Sequence, residues 1–381
     1  MQPTVKLDSR PDSQFPTATE SRHGLVLPTV ETLAPYEGGK PLEELAREYG
    51  VTDAVKLASN ENPLGPSPRA IEAARGVLDS AHLYPDGAAF RLRERLARAH
   101  GVGMDELILG NGSNELLDLF VKAFATREHH IVFAEPSFVV YRISALAYGV
   151  PFTAVPLTAL THDLPAMAAA VTPRTRLLFI ANPNNPTGTH VGKAAVEKLL
   201  REVPEDVIVV MDEAYIEYAD APDFPDSLTL RKLRERLIVV RTFSKIYGLA
   251  GLRVGYAIGP ALLINYLNRV RAPFNVSTIG QVAAIAALDD VEHVERSRTL
   301  NRKERARVSD VLTRAGLDVA PSQANFVLVD VKRPARPVYE ALLRKGVIVR
   351  PFASLPTHLR ITVGTEREND RLLTALAEAL R

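Results

Sequence analysis

Lys245 lies in a stretch, Leu237 to Leu288, that holds no acidic residue yet carries Arg241, Lys245, Arg253, Arg269 and Arg271. Such a segment is suited to meet an anion. Leu237-Ile-Val-Val-Arg241 reads as a buried strand, and the turn-rich run Thr242 to Tyr256 follows it, so Lys245 sits just past a strand end. A lysine with no local carboxylate, partly desolvated among other cations, can attack a carbonyl and hold it as a Schiff base. The plain alternative is a solvated surface lysine. Ser244 and Arg253 change that balance, because a hydroxyl and a guanidinium suit a phosphate. Together they point to a phosphorylated aldehyde cofactor, pyridoxal phosphate.

That cofactor makes further demands, each of which has a counterpart in the sequence. Its phosphate wants backbone amides at a helix start, which Gly110-Asn-Gly-Ser-Asn-Glu115 offers between a strand and an amphipathic helix. Gly112 permits close approach there, and Ser113 or Asn114 can cap the helix and bond the phosphate. A simple strand-to-helix turn would look the same. The pyridine nitrogen wants a carboxylate, and Asp212 ends the apolar strand Val207 to Met211, where open parallel sheets bind ligands. A helix-capping aspartate is the ordinary alternative. Tyr215 can donate to the phenolic oxygen of the ring, and the proline-braced loop Asn182 to Gly188 can hold Asn185 toward the same atom.

These residues need a scaffold, and strand-like runs alternate with helical patterns as in a parallel sheet covered by helices. The runs Glu106–Leu109, His130–Phe133, Thr175–Ile180, Asp206–Met211, Leu237–Val240 and Leu252–Ala257 supply its strands. From Gln281 a long charged helical stretch leads to shorter strands at Asn325–Val331, Gly346–Arg350 and His358–Val363 and a last helix, a smaller α+β domain. The expected division is a tail at 1–30, an N-terminal segment at 31–66 joining the small domain, a large cofactor-binding domain at 67–280 and the small domain at 281–381. With 381 residues, 46% of them hydrophobic, the chain can bury such a core. A net charge of +1 argues against a nucleic-acid surface. The lack of cysteine excludes disulfides and thiolate chemistry. No run is long and apolar enough for a membrane span, and the polar first twenty or so residues lack a signal core, so a cytoplasmic protein is expected, with no metal site.

The chain resembles aminotransferases of pyridoxal-phosphate fold type I and, among them, the histidinol-phosphate aminotransferase branch. The likeness runs from Leu33 to the end. It includes Leu33-Ala-Pro-Tyr-Glu-Gly-Gly39, Leu57-Ala-Ser-Asn-Glu-Asn-Pro-Leu-Gly65, Tyr84-Pro-Asp86, Asp212-Glu-Ala-Tyr215 and Leu359-Arg-Ile-Thr-Val-Gly364. It implies an α/β fold with a mostly parallel seven-stranded sheet and a smaller domain. It also implies Lys245 as the covalent anchor and proton shuttle, Asp212 at the pyridine nitrogen, and Tyr215 with Asn185 at the phenolic oxygen. Gly112, Ser113, Asn114, Ser244 and Arg253 would hold the phosphate and Phe138 would stack on the ring. Tyr84 would reach the phosphate from a second copy, making a homodimer with shared sites.

For substrate, the resemblance implies Tyr36, Asn185, Arg350 and Arg360, with Asn62 near the entrance. A phosphorylated amino alcohol needs a second anion site, and two arginines can grip phosphate or carboxylate alike, so glutamate can use it in the other half-reaction. The expected reaction moves an amino group between histidinol phosphate and 2-oxoglutarate. An aromatic amino acid aminotransferase, a threonine-phosphate decarboxylase and a non-catalytic cofactor-binding regulator are the other readings.

Overall fold

The structure is a computed structural model that describes residue 26, residues 28–35 and residues 38–381. Among them the strands run, in chain order, β1 Val55–Lys56, β2 Leu107–Asn111, β3 His130–Glu135, β4 Phe152–Pro156, β5 Thr175–Ala181, β6 Ile208–Asp212, β7 Leu237–Thr242, β8 Val254–Ile258, β9 Asp318–Val319, β10 Phe326–Asp330, β11 Val347–Ile348, β12 Arg350–Phe352 and β13 Leu355–Thr362.

Apolar side chains at successive positions explain the larger sheet. In β5, Leu177, Phe179 and Ala181 enter one core while Leu178 and Ile180 enter another, and β6 divides Ile208 and Val210 from Val209 and Met211 in the same way. A strand buried on both faces reads as a continuous hydrophobic run, the mark of a sheet with helices on each side. The seven strands lie in the order β2-β8-β7-β6-β5-β3-β4, with β8 antiparallel to both neighbours and the other pairings parallel. The fold is α/β, with the mostly parallel sheet that the resemblance implies.

Two elements depart from the residue-level reading. Strand β4 is bracketed by Pro151 and Pro156 and forms the sheet edge with Val155 as its one fully buried side chain, so its pattern is faint. The helical stretch expected from Gln281 is two helices, Thr278–Asp289 and Val291–Arg314. Asp290 leaves helical geometry at φ −94° and ψ 66°, and its carboxylate caps the second helix through the His293 N–H at 3.2 Å.

A second sheet, ordered β12-β13-β10-β9, is antiparallel and packs with the helices Ala335–Arg344 and Val291–Arg314. Strand β1 pairs in parallel with β11, and Leu57 just after it is buried in the core behind this second sheet. The segment following Leu57 therefore enters the region between the sheets. No helix among the described residues is long and apolar enough to cross a membrane.

Candidate active site

A cavity of about 390 Å³ lies where Ala181, Asp212 and Thr242 end the parallel strands β5, β6 and β7, and its far wall includes residues of β12 and β13. Ligands of open α/β sheets bind at such carboxyl ends. Ser113, Asn114, Phe138, Asn185, Asp212, Tyr215, Ser244, Lys245, Arg253, Arg350 and Arg360 all line this one cavity. Gly112 precedes Ser113 at the start of the helix Gly112–Phe124. Tyr84 does not join them: it is 83% exposed and stacks on Phe274 with ring centres 4.8 Å apart. Tyr36 falls outside the described residues. Asn62 is corrected from entrance to strut, because it is buried and its Nδ2 donates to Ile246 O at 2.7 Å and Ser297 Oγ at 2.9 Å.

One end of the cavity is built for an anion. The first turn of the helix Gly112–Phe124 points its unsatisfied amides and positive dipole end there. Close packing makes this possible. Gly112 has φ +71°, and a Cβ on it would stand 2.4 Å from Arg253 Nη2, while a Cβ on Gly255 of β8 would stand 2.4 Å from Ser113 N. Arg253 itself is in the left-handed region at φ +55°, a conformation costly to a residue with a side chain and found where surrounding structure imposes it. Its Nη1 donates to Ser244 Oγ at 3.3 Å and to Ala250 O at 3.2 Å.

Asp212 occupies the floor, 4% exposed. Its Oδ2 accepts from Tyr141 Oη at 2.7 Å, while Oδ1 is buried with no hydrogen-bond partner. A buried carboxylate oxygen left this way is costly unless a ligand supplies a donor, and the protonated nitrogen of a pyridine ring is such a donor. Burial pushes the Asp212 carboxyl up from the ordinary 3.8 to about 6, against the opposing hydrogen bond from Tyr141. The folded, cofactor-free protein thus holds this proton more tightly than the unfolded chain. Stability should fall as pH rises from about 4 to about 6, by roughly 3 kcal/mol from this group, and then level off. Thermal unfolding of the cofactor-free protein checks it: Asp212→Asn should gain on the parent as pH rises through that window. A gap independent of pH would refute the assignment.

At the other end, Arg350 and Arg360 are directly paired across β12 and β13. Arg360 Nη1 donates to Asn185 Oδ1 at 2.5 Å and its Nη2 to Ala58 O at 2.5 Å, with Phe326 and Phe352 beneath the guanidinium at 5.3 and 5.4 Å. Arg350 Nη1 donates to Gly38 O at 2.6 Å. The loop bearing Asn185 is rigid because Asn184 bonds Ser137 Oγ at 2.8 Å and Thr187 Oγ1 at 2.9 Å. Lys245 Nζ, in the same cavity wall, lies 5.4 Å from the centre of the Tyr215 ring.

Sequence reasoning missed two contributors. Tyr141, which bonds Asp212, stands three residues after Phe138 in a stretch expected to be helical, a spacing that places both on one side. Asn60 also lines the cavity, and its Nδ2 donates to Tyr215 Oη at 2.9 Å. Nothing local to Asn60 marks that contact, since its partner is 155 positions away.

The comparisons with known proteins agree with this geometry. Residues 52–376 match the family model described as aminotransferase class I and II. A protein of Pseudomonas aeruginosa named histidinol-phosphate aminotransferase 2 is 50% identical, over 93% of this chain and 98% of its own length. A histidinol-phosphate aminotransferase of Moorella thermoacetica is 47% identical over 98% of this chain and 96% of its own. Among solved structures, a histidinol-phosphate aminotransferase from Sinorhizobium meliloti in complex with pyridoxal-5'-phosphate superposes with a TM-score of 0.86 at 29% identity, covering 95% of this chain and 99% of that one. With a family model spanning most of its length and relatives near half identity over almost all of it, the chain belongs to the class I and II aminotransferases.

Proposed function

We propose that this chain is a pyridoxal-phosphate enzyme that moves an amino group between histidinol phosphate and 2-oxoglutarate, a step of histidine biosynthesis. The observation that carries the substrate reading is the pairing of Arg350 with Arg360 on adjacent strands. Like charges directly opposite in a sheet repel. A pair kept facing a cavity that already has an anion site at its other end is explained by a second anion bound between them, the substrate's phosphate or the carboxylate of glutamate.

The residues present fit the cofactor. Asp212 offers a buried, unpartnered oxygen for a pyridinium, and the helix start with Ser113, Asn114, Ser244 and Arg253 offers amides, hydroxyls and a cation for the phosphate. When bound, pyridoxal phosphate supplies an aldehyde that takes up amino groups and a ring that draws off the electron pair left by a departing proton. Phe138 provides the stacking face. Asn185, whose Oδ1 is taken by Arg360, keeps its Nδ2 for the ring's phenolic oxygen beside Tyr215. Arg360 therefore links substrate binding to the residue that positions the ring. Lys245 would anchor the aldehyde until the incoming amine displaces it, and the freed Nζ would then take the proton from the substrate carbon and hand it to the former aldehyde carbon, two bonds away across the nitrogen.

In this reading residues 281–381 form the smaller domain that carries both arginines, with 31–66 joined to it and 67–280 holding the cofactor. Tyr84, exposed and outside the cavity, serves the phosphate of a second copy in a homodimer. Tyr36 contacts substrate, and the enzyme works in the cytoplasm. The test follows the absorbance of the bound cofactor through one half-reaction with histidinol phosphate or phenylalanine. A much faster change with histidinol phosphate is expected, and an equal or faster one with phenylalanine would make the protein an aromatic aminotransferase. Arg360→Ala should lower kcat/KM for both histidinol phosphate and glutamate by about 10- to 10²-fold, the size of a lost charge-assisted pair. A loss confined to one of the two would refute a shared anion site.

A further inference from the structure

Asn60 is 1% exposed, sits in the cavity wall and has φ +57°, the left-handed region that asparagine tolerates better than most residues. Four hydrogen bonds fix it. Its backbone N–H donates to Thr362 Oγ1 at 2.9 Å, Thr362 Oγ1 donates back to Asn60 Oδ1 at 3.0 Å, and Asn60 Nδ2 donates to Tyr215 Oη at 2.9 Å. Asn325 Nδ2 donates to its carbonyl at 3.0 Å. Thr362 ends β13 and Asn325 immediately precedes β10, so the second sheet holds Asn60 while Asn60 holds a tyrosine of the larger sheet's site.

Counting protons gives the direction of this chain. A hydroxyl has one proton to donate. Thr362 accepts from the Asn60 backbone, and its proton goes to Asn60 Oδ1, which fixes the amide with its NH₂ toward Tyr215. With the amide reversed, the buried Thr362 oxygen would accept from both Asn60 donors and its own proton would lose the Oδ1 acceptor, while Asn60 Oδ1 would take the Tyr215 proton. In the orientation present, Tyr215 Oη already accepts from Asn60, and its own proton is directed elsewhere. We propose that Asn60, oriented by Thr362, is a positioning residue that aims the Tyr215 O–H at the phenolic oxygen of the cofactor. The inference rests on the cofactor placement proposed above.

A donor on the phenolic oxygen favours its ionised form, so aiming the proton there lowers the pH at which the absorbance of the bound cofactor changes. The experiment is a pH titration of that absorbance in the holoenzyme. Tyr215→Phe should move the transition up by about one pH unit, the worth of one hydrogen bond. Asn60→Asp tolerates the same backbone angle but only accepts, so it turns the Tyr215 proton away and should also move the transition up. In the Tyr215→Phe background the same change should move it much less. Thr362→Val, neutral and close in shape, frees the amide to reverse and should shift the transition in the same direction by a smaller amount. The charged groups lining the cavity, Lys56, Asp212, Lys245, Arg253, Arg350 and Arg360, are common to all variants.

An unchanged transition in both Asn60→Asp and Thr362→Val, with Tyr215→Phe shifted, would overturn the inference and leave the cofactor placement standing. An equal Asn60→Asp shift with and without the tyrosine hydroxyl would overturn it as well, since the new charge alone would then be acting. No shift in Tyr215→Phe would overturn the placement itself.

Discussion

Lys245→Ala should lower the rate of the half-reaction with histidinol phosphate by about 10⁴-fold or more, because in the proposed reading one side chain both anchors the cofactor aldehyde and carries the proton. The two roles are not additive, since the same Nζ performs them in sequence. Lys245 follows the end of β7, and its Nζ lies over the Tyr215 ring on the cavity wall. Among the described residues no lysine other than Lys245 and Lys56 lines the cavity, and Lys56 Nζ is paired with Glu61 at 2.9 Å. Stopped-flow absorbance of single turnovers checks this. The cofactor should still bind through its phosphate, and the space vacated by the side chain should let a small added amine restore part of the rate. A variant within about tenfold of the parent would assign the proton transfer to another group.

Asp212→Asn should cost about 10³-fold in the same half-reaction, at the upper end for loss of one preorganised electrostatic contact. The amide keeps the shape of the side chain and a partner for Tyr141 but has no charge to hold a proton on the ring nitrogen. Without that proton the ring draws electrons poorly when the substrate carbon loses its hydrogen. Asp212→Glu separates charge from geometry: it should recover part of the loss if charge dominates. Equal rates for the parent and Asp212→Asn would remove Asp212 from the ring nitrogen.

Much of this site was legible in the sequence, and the reason is physical. Each of Ser113, Asp212 and Lys245 follows an apolar run, and in a parallel sheet the ends of such runs converge on one crevice, so chain position alone brings them together. Contacts made across the two sheets are a different matter. Asn60, Thr362 and Tyr215 are joined by hydrogen bonds over 155 and 302 positions, and no periodicity encodes such a meeting. Tyr141 lay between these cases, since its helix was expected but its partner was not. Asn62, expected near the entrance, is instead turned inward as a strut. The chain turns there so that Asn60 faces the cavity while Asn62 faces the Ser297 side.

The two anion sites are made of different material. At the proposed cofactor end a carbon added to Gly112 would meet Arg253 and one added to Gly255 would meet the main chain at Ser113, so backbone packing there shapes the cradle in which main-chain amides join the side chains of Ser113, Ser244 and Arg253. At the proposed substrate end it depends on the long side chains of Arg350 and Arg360, which are paired across adjacent strands. Altering the main-chain part of the first site demands rebuilding the backbone, whereas the second is made of side chains alone. Selection or design can therefore redirect which amine this scaffold accepts most cleanly through Arg350, because a change at Arg360 also releases Asn185 beside the ring.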